Sequence, residues 1–121
     1  MQALLDQAKT FAEDLVQLRR ELHRNPELSF QEHRTAALLA DRLTTLGYRV
    51  KTGIGKTGIV AEIGDGGPVV ALRADMDALP IQEQSERDYR STVKGVMHAC
   101  GHDAHVAMLL GIELCALAIY P

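Results

Sequence analysis

A chain of 121 residues with 46% hydrophobic and 24% charged residues has the composition of one ordinary globular domain. A formal net charge of −3, with the 13 Lys and Arg residues scattered, leaves no basic field for nucleic acid. The opening residues MQALLDQAKTFAEDL lack a signal-peptide apolar stretch, and no window is apolar enough for a membrane span, so the expectation is a cytoplasmic protein with no membrane partner.

Leu4, Ala8, Phe11, Leu15, Leu18 and Leu22 recur at alternating steps of four and three, which predicts one amphipathic helix. Asn25-Pro26 ends it, because a residue before proline avoids the helical region. Ser29 with Glu32 reads as a capping box for a second helix, with Ala36, Leu39, Leu43 and Leu46 as its apolar face and Gly47 as a left-handed stop. Tyr48 to Thr52 and Gly58 to Ile63 then read as strands, and the glycines at 53, 55 and 58 make their connection a hairpin. Gly64 to Pro68 is a turn, and Val69 to Leu72 is a short apolar run of the kind that fills a sheet covered on both faces. Residues 82–95 are polar and read as a surface loop. From Asp103 to about Ala118 the chain is helical and apolar nearly all round, which predicts a buried helix. The succession implies an α/β layer structure, helices packed on a mixed sheet. A helix so apolar needs cover on every side, so the fold is expected to continue past Pro121 or to use a partner chain.

The densest chemistry lies in Met97-His-Ala-Cys-Gly-His-Asp-Ala-His105. Thiolate sulfur and imidazole nitrogen are preferred ligands of zinc and similar divalent ions. Cys100 and His102 are two apart, so in extended backbone both reach to one side, and Gly101 allows a tight bend between them. Asp103 is placed to cap the last helix. The positive end of that helix favours a thiolate but disfavours a cation, so a metal here needs further anionic ligands. Two other readings stand beside this one: a plain helix cap with a reduced, buried cysteine, and a thiol nucleophile with a histidine base. In the second constellation, Leu72-Arg-Ala-Asp-Met-Asp-Ala-Leu-Pro80, Asp75 and Asp77 follow an apolar run and share one side of an extended chain. Such carboxylates bind metal or orient a ligating histidine, and the alternative is a solvated loop with an acid paired to Arg73.

Two apparent nucleotide motifs fail. Gly53-Ile-Gly-Lys-Thr-Gly58 is followed by a strand rather than a helix, and a phosphate loop at Gly55-Lys-Thr57 would need glycine where Val50 stands. His23 and His33 are expected at the surface or in turns, and Cys115 reads as a small buried hydrophobe.

Three strings, Arg20-Glu-Leu-His-Arg-Asn-Pro-Glu-Leu-Ser29, Leu72 to Pro80 and His98-Ala-Cys-Gly-His-Asp-Ala-His105, together resemble the N-acyl-amino-acid amidohydrolases, including the hippurate and auxin-conjugate hydrolases. These are metallohydrolases related to the carboxypeptidase-type and aminoacylase enzymes. The resemblance runs from about residue 12 to about residue 118. It implies the N-terminal portion of a zinc-aminopeptidase-like catalytic domain, a centre of two divalent ions (zinc or manganese), and an N-acyl amino acid substrate. By the same resemblance Cys100 and His102 are metal ligands and Asp77 supports the site, whereas Asp75 carries no ligand role. A glutamate pair that supplies a ligand and the general base, two further histidine ligands and a lid domain used for dimerisation lie outside these residues. The chain is therefore expected to be incomplete alone, acting with a missing C-terminal chain or as a homo-oligomer. The alternative is a non-catalytic remnant or interaction module that keeps half the fold.

Overall fold

The computed structural model describes residues 2–119. Four helices and one hairpin follow in order: α1 (Gln2–Thr10), α2 (Ala12–Arg24), α3 (His33–Thr45), β1 (Arg49–Ile54), β2 (Gly58–Glu62) and α4 (His102–Ile119). No helix among the described residues is long and apolar enough to cross a membrane.

The single helix expected over residues 4–22 is two helices. At the break, Thr10 turns its hydroxyl back to the Gln7 carbonyl at 2.7 Å, a side-chain bond that competes with the helical ladder. Leu4 and Leu5 stay about half exposed, so only the α2 part of the stripe, Leu18 and Leu22, reaches the core. The stop at Asn25-Pro26 is as expected. The Asn25 N–H returns to the Leu22 carbonyl at 3.1 Å, and its side-chain amide donates to the Glu21 carbonyl at 2.9 Å.

The Ser29/Glu32 capping box does not form. The cap of α3 is Glu27, whose two carboxylate oxygens accept the backbone N–H groups of Arg34 (2.8 Å) and Thr35 (2.7 Å). Phe30, with φ 63°, turns the chain so that Glu27 reaches over the helix start. Glu32 instead accepts the buried Thr57 hydroxyl at 2.5 Å, which ties the start of α3 to the hairpin. At the other end Gly47 adopts φ 90°, its N–H bonds the Thr44 carbonyl and the Tyr48 N–H bonds the Leu43 carbonyl, the paired bonds of a left-handed helix stop.

The two strands are antiparallel, with Arg49 opposite Glu62 and Thr52 opposite Ile59. Gly53, at φ 76°, sits at the bulge between Thr52 and Ile54, and a Cβ on Gly58 would stand 2.5 Å from the Ile54 carbonyl oxygen. Helix α3 lies on this antiparallel hairpin, which is the whole of the sheet among the described residues. Val69 to Leu72 is not a strand: no ladder runs beside it, and Val69 and Val70 are 90% and 84% exposed. An apolar run forms a strand only where a neighbour takes its backbone hydrogen bonds.

Leu18, Leu22, Leu39, Val106, Ala107 and Leu110 form the core, flanked by Leu38, Leu43, Leu46, Ile59, Ala74 and Met76. The core lies where α2 crosses α4, with α3 and the hairpin alongside. Gly111 explains the close crossing, since a Cβ there would stand 2.7 Å from a Leu15 methyl carbon. Helix α4 buries one stripe and leaves Met108 and Ile112 more than half exposed, so it is not covered all round as its composition suggests. Buried Tyr48 donates to Glu113 and ties the hairpin to α4. Burial and then this carboxylate push the Tyr48 phenol well above its usual range.

Glu27→Ala is expected to lower stability by about 1 kcal/mol, the usual worth of a helix cap. Ser29→Ala is expected to leave stability unchanged, and urea unfolding of both variants checks the pair.

Candidate metal centre

All three strings singled out in the sequence meet in one place. The Ala78 N–H donates to the Glu27 carbonyl at 2.8 Å, joining the first string to the second. Leu79 and Met97 exchange both backbone hydrogen bonds, at 2.9 and 3.0 Å, joining the second to the residue just before the third. These single bridges carry residues far apart in sequence to the start of α4.

There His102 Nδ1 lies 2.9 Å from the Asp77 carboxylate and 3.0 Å from the Asp77 carbonyl oxygen. With Nδ1 donating to Asp77, the lone pair of Nε2 is free. A carboxylate behind a histidine in this way fixes the tautomer and raises the basicity of the ligating nitrogen. Gly101 takes φ 80°, the bend expected of it, and its carbonyl accepts the N–H groups of Ala104 (3.0 Å) and His105 (3.1 Å). Cys100 lies just before that bend, exposed and with a free thiol, rather than as a buried structural cysteine. Asp75 is also exposed and pairs with Arg73 at 2.6 Å, the solvated-loop arrangement.

Among the described residues no group of three or more His, Cys, Asp or Glu side chains is disposed to hold a metal ion. The donors fit a divalent ion in kind, a free exposed thiol and an imidazole backed by a carboxylate, but among the described residues they do not make up a metal site. A complete protein site usually needs at least three ligands.

Several expectations change beneath this turn. Asp103 is not a cap, because α4 begins at His102, and its side chain is wholly buried. Its Oδ2 lies 2.7 Å from His23 Nδ1 and 2.9 Å from Arg19 Nε. His23 is neither a surface nor a turn residue: it is 4% exposed, and its Nε2 lies 3.1 Å from Glu83. With carboxylates on both ring nitrogens, both hydrogen bonds are made only when each nitrogen donates. His33 is exposed, as expected. The polar stretch 82–95 is mostly surface, but Glu83 and Tyr89 turn inward. Tyr89 meets the His23 ring edge-on at 5.6 Å, and the guanidinium groups of Arg19, Arg20 and Arg87 stand 5.1, 4.9 and 5.7 Å from its ring centre. Hydrogen bonds from Arg87 and then Arg19 lower the Tyr89 phenol below its ordinary value. His98 is 5% exposed with both nitrogens unpartnered, and burial pushes its pKa down, favouring the neutral ring.

No sequence signal separates these buried groups from surface ones, because each is polar and stands in a polar neighbourhood. His23 lies inside a recognised string, yet only the fold shows its partners, which are 60 and 80 residues away.

Residues 71–119 match a family described as Peptidase family M20/M25/M40. The chain is 50% identical over 114 residues to thermostable carboxypeptidase 2 of Saccharolobus solfataricus, covering 92% of this chain and 29% of that protein. It is 49% identical over 110 residues to an N-acyl-L-amino acid amidohydrolase of Geobacillus stearothermophilus, covering 89% and 29%. It is 56% identical over 98 residues to IAA-amino acid hydrolase ILR1-like 6 of Arabidopsis thaliana, covering 80% and 21%. Among solved structures, the Bacillus subtilis YXEP protein, described as a dinuclear metal-binding peptidase of the M20 family, superposes with a TM-score of 0.84 at 44% identity. That match covers 91% of this chain and 32% of the other. The chain is thus similar to the M20-family hydrolases, as its three strings imply, and it spans less than a third of the length of these relatives.

Glu83 supplies a test of the buried network. Burial raises its pKa, but hydrogen bonds from Ser85, the Ser91 N–H and His23 outweigh that and bring it from 4.5 down to about 2. A carboxylate lowered in the folded state contributes stability above its unfolded value, and that stability is lost as pH falls. The Glu83 share is therefore full above pH 4.5 and gone below about 2. Glu83→Gln is expected to lower stability at neutral pH and to flatten the decline across this window, as read by urea melts in a pH series. Identical acid limbs in the two proteins would refute the assignment.

Proposed function

We propose that this chain is the part of a metal-dependent amidohydrolase that supplies Cys100 and His102 as metal ligands and Asp77 as the residue orienting His102. The reaction is hydrolysis of the amide bond of an N-acyl amino acid. The observation that carries this reading is the Asp77 carboxylate 2.9 Å from His102 Nδ1, at the point where the three strings meet. The names of the relatives, an N-acyl-L-amino acid amidohydrolase and an auxin-conjugate hydrolase among them, support the substrate class.

The residues divide the work by their chemistry. Asp77 holds the His102 ring by accepting from Nδ1, which leaves the lone pair of Nε2 free to bind a metal. Cys100, free and accessible, presents its sulfur beside the same bend and binds as the thiolate. Two divalent ions, zinc or manganese, would supply acidification of a water molecule and polarisation of the scissile carbonyl when bound. The proton is moved by a carboxylate beyond these residues. The ligands missing from this half-site belong to the rest of a longer catalytic domain or to a second chain, which would also cover the exposed run Val69 to Leu72 and the outer face of α4. A cytoplasmic location is part of the same proposal.

In the polypeptide that carries this chain, hydrolysis of an N-acetyl amino acid is expected to be abolished by a chelator and restored by added zinc or manganese. Cys100→Ser and His102→Asn are each expected to reduce kcat/KM by at least about tenfold, the scale on which loss of even a supporting partner weakens a metal site. Chelator-resistant activity destroyed by thiol alkylation would replace this reading with thiol hydrolysis by Cys100. Purified protein that takes up no metal and assembles with rising concentration would favour the non-catalytic remnant.

A further inference from the structure

The charges beneath the Cys100–His102 bend take no part in the chemistry proposed above, yet they occupy the best-buried polar position in the fold. Asp103 has no exposure at all and directly follows His102. Taking a carboxylate out of water costs several kcal/mol before pairing repays it, about as much as many domains have to spare. Complementing the helix dipole does not explain that burial, because an exposed Asp in the first turn interacts with the dipole without leaving water. Generic core stability does not explain it either, since a buried ion pair is often no better than apolar side chains of the same volume. What a buried pair does supply is direction.

His23 sets that direction by a hydrogen bond, whereas Arg19 Nε stands close to Asp103 as a charge without making one, and Asp103 Oδ1 has no hydrogen-bond partner. His23 Nδ1 at 2.7 Å and Arg19 Nε at 2.9 Å both approach the same Asp103 oxygen from α2. The far side of His23 is held by Glu83 at 3.1 Å, and Glu83 is held by the Ser91 N–H and the Ser85 hydroxyl, each at 2.6 Å. The Tyr89 and His98 rings pack beside it, with centroids 5.6 and 6.4 Å away. Successive residues of a helix lie about 100° apart around its axis, so locking Asp103 toward α2 sets the direction in which His102 leaves the backbone. Asp77 then acts on the His102 ring itself.

We propose that Asp103 is a positioning residue for His102: its buried clamp to His23 and Arg19 sets the rotation of the first turn of α4, so that the His102 ring meets Asp77 with Nε2 turned outward. The proposal rests on the reading of His102 as a metal ligand. His23, Arg19 and Glu83 thereby act on the site without touching substrate or metal.

The test uses the whole chain and two readouts, the His102 ring protons and nitrogens by long-range 1H–15N NMR and the affinity for zinc alone. In the wild type the His102 ring is expected to be a single tautomer with hydrogen on Nδ1. Asp103→Asn is expected to mix the two tautomers and to weaken zinc binding about tenfold or more, the range seen when partners of ligands are lost. His23→Asn is expected to act in the same direction. Arg19→Lys, which keeps the Asp103–His23 pair, is expected to fold and to show a smaller change of the same kind, so it decides the matter should Asp103→Asn unfold. One wild-type tautomer and wild-type zinc affinity in folded Asp103→Asn, or in Arg19→Lys where Asp103→Asn does not fold, would overturn the proposal. A wild type that binds no zinc while Asp103→Asn still frees the ring would sink the metal-ligand reading and leave the positioning role standing.

Discussion

The buried carboxylate of Asp103 is the constraint around which the rest of this chain is arranged. It joins α2 to α4 through Arg19 and His23, directly after His102 in the chain. An ionised carboxylate without water is tolerated only where cations and donors are already in place, so Arg19, His23 and Glu83 form a set that must assemble together. Apolar packing of Leu18 and Leu22 against Val106, Ala107 and Leu110 brings the helices together, and the polar set chooses their rotation. Packing alone is non-directional and would accept several rotations of so uniformly apolar a helix.

The candidate metal centre is held by few bonds. One parallel bridge between Leu28 and Ala78 and one antiparallel bridge between Leu79 and Met97 replace the ladder that a full sheet would provide. The loops bearing Asp77 and Cys100 are thus fixed at single points, and the donors on this chain remain a partial set. The exposed valines at 69 and 70 belong to the same picture, an apolar run with unpaired backbone that leads directly into the Asp75–Asp77 loop.

The readable parts of the fold were those governed by local physics. The end of α2 at Asn25-Pro26, the left-handed stop at Gly47 and the glycine hairpin follow from which φ/ψ regions each residue tolerates, and no distant contact is needed to specify them. The capping of α3 was misread because Ser29 and Glu32 satisfy the pattern, whereas Glu27 wins through a turn at Phe30 that no pattern announces. The run Val69 to Leu72 has the composition of a strand without the partner a strand requires.

For the candidate site, the donor types at Cys100, His102 and Asp77 are visible in their spacing and in three ordered strings, because metal chemistry restricts which side chains could serve. The sequence by itself therefore determined a candidate class of chemistry, the stops at Asn25-Pro26 and Gly47, the hairpin, and the apolar stripes of α2 and α3. Only the tertiary structure decided that Asp77 stands behind His102, that Asp103 is buried rather than capping, and that His23 lies in the core between two carboxylates. The reason is physical: turns and helix ends are set by neighbours along the chain, whereas the placement of a buried charge depends on which distant groups folding brings within 3 Å or so to replace water.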